Sequence, residues 1–209
     1  MGEKVASGGP VGSAQARLTL ASTSPQRRAI LEQLAIPFDI VSPSYVEDDV
    51  ALVTDRHNAS ELVRAHALGK ARSVHVSGMV TLGVDTTVVL DGQAYAKPAD
   101  RADATRMLGD LSGRTHTVLS GLCLLGAGDD VIAHELTDVT FRPLTAATIA
   151  WYVASGEWEG RAGAYAIQGL GGRLVERIEG DYLNIVGLPG ALLVSVLERH
   201  APKLLQTPR

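Results

Sequence analysis

The sequence predicts an α/β protein built on one mixed sheet, and three observations carry that prediction. Strand-like segments interleave with segments of helical periodicity along the whole chain. Short turns at Asp91-Gly92 and at Gly126 to Asp130 join neighbouring strand-like segments as hairpins, so part of the sheet runs antiparallel. With 209 residues, 45% of them hydrophobic, and no internal repeat or linker, the chain can bury one sizeable core or two lobes sharing a sheet.

Each element follows from local pattern. Residues 1–16 lack the apolar run of a signal peptide and read as a disordered tail, which leaves a single domain over 17–209. Arg17 to Ser22 (RLTLAS) reads as a strand. Pro25 to Leu34 reads as a helix, with Ser24 as N-cap and Pro25 in the first helical position. Phe38 to Val41 is a short strand, followed by an acidic loop around Glu47, Asp48 and Asp49. Val63, Ala67, Ala71 and Val74 recur at helical spacing within a helix over 59–74. Val80 to Leu90 is a long strand, and a helix over 101–111 ends at Ser112-Gly113. His116 to Leu125 and Val131 to Arg142 are strands flanking a turn, and 145–155 is a helix. Glycines cluster from Gly160 to Gly172, before a strand near Arg173 to Ile178 and a last helix near 190–200.

Composition excludes several classes. A formal net charge of −4 provides no global basic field to draw the chain to a nucleic acid polymer or to anionic lipid. No apolar run is long enough to span a membrane, and a cytoplasmic protein is expected. Cys123, the single cysteine, sits among leucines and reads as a small core residue. Without cysteine pairs or an HExxH spacing, no structural zinc site is expected.

Four places hold residues that the fold alone does not explain. Arg27 shares a helical face with Ile30, Leu31 and Leu34, so a cation at a helix start points inward. The helix dipole and desolvation both oppose it there, and an anion would reverse both terms. On this reasoning, removing the Arg27 guanidinium leaves the ligand-free protein as stable or more so. The adjoining hydroxyls of Ser22, Thr23 and Ser24 favour a phosphate cradle over an arginine that merely snorkels past the core. In VTLGVDTTVVL, Leu82, Val84, Val88 and Leu90 share one face, with Thr86 breaking the run, and Thr81, Gly83, Asp85 and Thr87 share the other. Asp85 is either solvated or a carboxylate beside a glycine that leaves room for a ligand, fit to bind Mg²⁺ or orient a water. Lys70 falls on the apolar helical stripe, where it either snorkels or serves the same site, and Lys97 precedes a proline that holds it extended. In the glycine cluster, Gln168 either reads a base edge or caps a loop, and Gly169, Gly171 and Gly172 either admit a ligand or loosen the loop. Cations, a carboxylate, hydroxyls and an amide together suit a phosphorylated small molecule with a recognised head group.

Several stretches together resemble the Maf family, often labelled septum-formation inhibitors. They are Leu20 to Arg28 (LASTSPQRR), Gly83 to Val88 (GVDTTV), Ala96-Lys97-Pro98, Leu111 to His116, Gly163 to Gly169 (GAYAIQG) and Gly187-Leu188-Pro189. The resemblance covers nearly the whole chain from about residue 17. It implies an elongated mixed sheet flanked by helices in two lobes with a central cleft, like that of inosine triphosphate pyrophosphatase. It also implies a nucleoside triphosphate pyrophosphatase that depends on a divalent metal, Mg²⁺ or Mn²⁺, with a homodimer as candidate assembly and a role in nucleotide house-cleaning or cell division. By residue match, Asp85 takes the catalytic carboxylate position, as general base or as metal ligand. Ser22, Arg27, Lys70 and Lys97 take phosphate-contacting positions, and Gln26, Thr86 and Gln168 take positions tied to substrate choice. Glu47 and Asp48 join Asp85 as candidate metal ligands. Gln26 stands where one subfamily, preferring thymidine and uridine triphosphates, carries arginine and another, preferring methylated guanosine triphosphate, carries tryptophan. A glutamine there predicts activity spread over several bases. A nucleotide sensor that binds without turnover and a phosphatase releasing orthophosphate are the competing readings.

Overall fold

In the computed structural model, residues 16–47 and 56–206 are described, so the acidic-loop residues Asp48 and Asp49 and the first fifteen residues fall outside it. The chain runs β1 (Leu18–Ala21), α1 (Pro25–Gln33), β2 (Phe38–Val41), α2 (Arg56–Val74), β3 (Val80–Leu90), β4 (Gln93–Tyr95), α3 (Arg101–Leu111) and β5 (Thr115–Leu125). It continues through β6 (Val131–Phe141), α4 (Ala146–Ala154), 3₁₀ turns at Ala162–Ala164 and Leu170–Leu174, β7 (Val175–Glu179), α5 (Tyr182–Val186) and α6 (Gly190–His200). The hairpin expected at Asp91-Gly92 closes through β4, only three residues long, whereas α5 was not expected, because five residues are too few to carry a period. The last strand begins at Val175 because Leu170–Leu174 closes into a 3₁₀ turn.

One seven-stranded sheet has the order β2-β1-β3-β5-β6-β7, with β4 on the free edge of β3. β1 is parallel to β2 and β3, and every other pairing is antiparallel, so the sheet is mixed as expected. The long strands β3 and β5 are shared by two apolar cores. Leu82, Val84, Leu122 and Leu124 pack with α1 and α6, while Val88, Leu90 and Val118 pack with α3, α4 and Tyr165. Thr86 of β3 falls between these two cores.

The other face of β3 and β5 carries α2. An added Cβ at Gly83 would lie 2.0 Å from the Ala67 carbonyl oxygen, and one at Gly121 would lie 2.1 Å from that of Val63. Gly83 therefore makes room for the α2 backbone, not for a ligand. This close approach sets the α2 face bearing His66 and Lys70 over Asp85. Cys123 is buried beside Ala67 and Ala71, and burial pushes its thiol up to about 12, which leaves an inert core residue. Among the described residues no helix is long and apolar enough to cross a membrane.

Candidate active site

β5 pairs with β3 from Thr81 to Val89 along one edge. On the other edge, β1 reaches only from Val80 to Gly83 and β4 only from Val88 to Leu90. Val84 to Thr87 thus face a gap between the C-terminal end of β1 and β4, and a cleft of about 620 Å³ opens there. Open parallel sheets place ligands in the same kind of crevice, beyond the carboxyl ends of strands. Ser22, Gln26, Arg27, Glu47, Lys70, Asp85, Thr86, Lys97 and Gln168 all line this cleft. Of the residues expected at a site, only Asp48 is left out, because it lies outside the described residues.

Asp85 is the most constrained of them. Its Oδ1 accepts from Lys70 Nζ at 2.6 Å, and its Oδ2 lies 3.3 Å from His66 Nδ1. Burial alone would raise its pKa, but the His66 hydrogen bond, the Lys70 charge and hydrogen bond, and Arg27 outweigh burial and hold it at about 2. Lys70 also meets Glu47 at 2.6 Å, so one buried ammonium bridges two carboxylates. This arrangement explains a lysine on an apolar stripe without snorkelling.

Arg27 turns inward as its helical face requires, but internal acceptors meet it. Its Nε donates to the Gly187 carbonyl at 2.9 Å, and its terminal nitrogens donate to Ser22 Oγ at 3.2 Å and Thr86 Oγ1 at 3.3 Å. Burial pulls the guanidinium below its usual value, against the attraction of Asp85 and Glu47. The expectation that this cation is uncompensated without a ligand is therefore corrected: the end of α5 and two hydroxyls satisfy it. Ser24 holds the N-cap position, yet its hydroxyl donates to the Gln26 side chain at 3.1 Å and caps no backbone N–H. The first amides of α1 keep their capacity for an anion.

In the glycine cluster, the space beside Gly169 is filled by the Glu157 carboxylate and that beside Gly171 by the Ala166 backbone, so these glycines serve the loop itself. Gln168 and Lys97 are exposed where they line the cleft. Two cleft residues escaped the sequence reading. His66 lies one helical turn before Lys70, a spacing that would have placed it on the same face. Arg161 follows Gly160 in a stretch without periodicity, where no such signal exists.

Donor atoms of Glu47, His66 and Asp85 all lie within 4.8 Å of one another. Two carboxylates and an imidazole are chemistry suited to a divalent cation, and Lys70 Nζ competes for the same two carboxylates.

A mixed-sheet α/β protein with a cation-lined, carboxylate-bearing cleft between two cores is the class that this geometry defines. The chain belongs to the Maf family: the family model described as Maf-like protein matches residues 17–200. A "dTTP/UTP pyrophosphatase" of Symbiobacterium thermophilum is 49% identical over 83% of this chain and 88% of its own length. Proteins of the same name from Gloeobacter violaceus and Pyrococcus furiosus are 46% and 42% identical, each over 87% of this chain and 94% of their own. The solved structure of the Staphylococcus aureus Ham1 protein aligns over 60% of this chain and 71% of its own, with a TM-score of 0.40 and 10% identity. That likeness is too distant to carry an argument.

Proposed function

We propose that this chain hydrolyses nucleoside triphosphates to the monophosphate and pyrophosphate, with dTTP and UTP among its best substrates. The observation that carries the reading is Asp85: an ionised carboxylate on a rigid strand, in a cleft that also presents Arg27, Lys70 and Lys97. A carboxylate facing phosphates repels them unless a cation intervenes, so a cleft that only binds nucleotides has little use for it. The names of the relatives support the reaction and the two bases.

In this reading, water attacks the α-phosphorus, the bond to the α,β-bridging oxygen breaks, and pyrophosphate leaves with the developing charge. Lys70 has three N–H donors, two of them engaged by Glu47 and Asp85, which leaves one for a phosphate oxygen. Arg27 keeps two of its five donors for the same purpose, beside the open amides of α1 and the Ser22 hydroxyl. Glu47, Asp85 and His66 would hold a divalent cation, Mg²⁺ or Mn²⁺, which when bound supplies Lewis-acid polarisation of the phosphate. A carboxylate held at about 2 is a weak proton acceptor at neutral pH, which supports Asp85 as cation ligand and water-orienting group over Asp85 as strong base. Gln26, Thr86 and Gln168 are left to meet the base, and the cytoplasm, where nucleotides are made and used, is the setting this activity fits.

Product identification tests the proposal. Wild-type protein with dTTP, UTP and a panel of other triphosphates, with and without Mg²⁺ or Mn²⁺, should release pyrophosphate and monophosphate only when metal is present. Orthophosphate as the sole inorganic product would refute the reaction class. Binding without turnover of any triphosphate would refute the enzyme.

A further inference from the structure

The cations lining the cleft are not equally committed. Arg27 is engaged by Gly187, Ser22 and Thr86, and Lys70 by Glu47 and Asp85. Lys97 and Arg161 also line the cleft, and neither side chain has a hydrogen-bond or ion-pair partner among the described residues. Arg161 is the sharper case, because its Nε is buried with no acceptor. A buried donor of a charged group without a partner is costly, and an acceptor arriving with the substrate would remove that cost.

The backbone holds Arg161 in this position from several sides. Its N–H donates to the Trp158 carbonyl and its own carbonyl accepts from Ala164 N–H, both at 3.1 Å. Gly160, Gly163 and Ala164 around it have φ of 69°, 69° and 60°, and Ala164 is a fully buried non-glycine in that left-handed region. Such a conformation persists only where its surroundings enforce it. Gly163 N–H donates to the Ala96 carbonyl at 3.3 Å, which ties the turn to the residue beside Lys97. A Cβ at Gly163 would come within 3.0 Å of Val88, so the turn also presses on β3 three residues beyond Asp85. Two cations with unpartnered side chains are thus carried on adjacent backbones, on segments that contribute none of Glu47, Lys70 and Asp85.

Charge sharpens the point. Among the described lining residues, Arg27, Lys70, Lys97 and Arg161 stand against Glu47, Asp85 and Glu159. Without Arg161 the cleft would hold cations and carboxylates in equal number, a poor attractor for a polyanion.

We propose that Arg161 is a substrate-binding residue that, with Lys97, clamps the outer phosphates of the triphosphate and then the departing pyrophosphate. This rests on the hydrolase reading above. The buried pair of Asp85 and Lys70 suits the reacting α-phosphate, and the charge left over lies on the β- and γ-phosphates. A planar guanidinium matches two phosphate oxygens at once, which an ammonium does not.

The experiment is isothermal titration of inorganic pyrophosphate and of thymidine monophosphate into wild-type protein, Arg161→Met and Arg161→Lys, with Mg²⁺ present. Arg161→Met should weaken pyrophosphate binding by about tenfold or more and monophosphate binding by less than about threefold, as loss of one charge-assisted contact predicts. Arg161→Lys should recover part of the pyrophosphate affinity. Arg161→Gln carries the same comparison if the methionine variant fails to fold. Unchanged pyrophosphate affinity, no pyrophosphate binding by wild-type protein, or an equal loss for the monophosphate would each overturn the proposal. Failure of the hydrolase reading reads out separately: pyrophosphate binding that depends on Arg161, in a protein that turns over no triphosphate, leaves the clamp standing and removes the reaction.

Discussion

Replacing Arg27 by methionine keeps the aliphatic stem and removes only the guanidinium. Sequence reasoning expects the ligand-free protein to gain or hold stability, because a cation leaves a helix start. The structure reverses the sign. The 2.9 Å bond to the Gly187 carbonyl joins α1 to the end of α5, its partners 160 positions apart in the chain. A hydrogen bond involving a charged group contributes about 1.5–3 kcal/mol, and the longer contacts to Ser22 and Thr86 add little. Relief of guanidinium desolvation offsets part of that, which leaves a net loss of about 2 kcal/mol. For a chain of this size, that is a fall of roughly 4–8 °C in Tm. The assay is thermal unfolding by circular dichroism in phosphate-free buffer without nucleotide, so that no anion stabilises the wild type. An unchanged or raised Tm would refute the reasoning and return Arg27 to a cation held solely for a ligand.

Other outcomes follow from the same geometry. Asp85→Asn should lower kcat by about 10²–10⁴ with a native far-UV spectrum, read by pyrophosphate release; near-native turnover removes Asp85 from the chemistry. Lys70→Met should tighten Mn²⁺ binding by about tenfold or more, because a like charge leaves the Glu47–Asp85 oxygens, while kcat falls; titration calorimetry reads the first and turnover the second. His116, 1% exposed and beside the Tyr165 hydroxyl at 2.9 Å, is lowered by burial from 6.5 to about 4, so the fold prefers it neutral. Its contribution is intact above pH 6.5 and is lost as pH falls from there toward about 4, because the unfolded chain takes up the proton first. The loss amounts to about 3 kcal/mol, and denaturant unfolding across that window should show it, with His116→Gln flattening the curve. Wild-type activity should differ by less than about 100-fold between the best and second-best triphosphates, and Gln26→Arg should sharpen the preference for pyrimidines; a wild-type ratio above about 10⁴ contradicts that reading of Gln26.

What the sequence made legible was whatever a period can carry. The alternation in β3 assigns Leu82, Val84, Val88 and Leu90 to the apolar cores and Asp85 to the other face, and the structure keeps that division. Thr86, which interrupts the run, falls where β3 is bare on one edge between β1 and β4. A period tells which face a residue takes, but not what covers the face. The pattern alone offers Gly83 as space for a ligand, and α2 fills that space. The same limit hid Arg27's acceptor, because no local pattern links Gly187 to α1. His66 was within reach of the helical spacing that singled out Lys70, whereas Arg161 sits among left-handed residues where spacing carries no information.

The most direct test of the central claim is hydrolysis of dTTP in H₂¹⁸O with Mg²⁺ or Mn²⁺, read by ³¹P NMR and mass spectrometry of the products. Attack at the α-phosphorus beside Asp85 predicts one ¹⁸O in thymidine monophosphate and none in pyrophosphate. Label in pyrophosphate, or release of orthophosphate with thymidine diphosphate, would contradict the account.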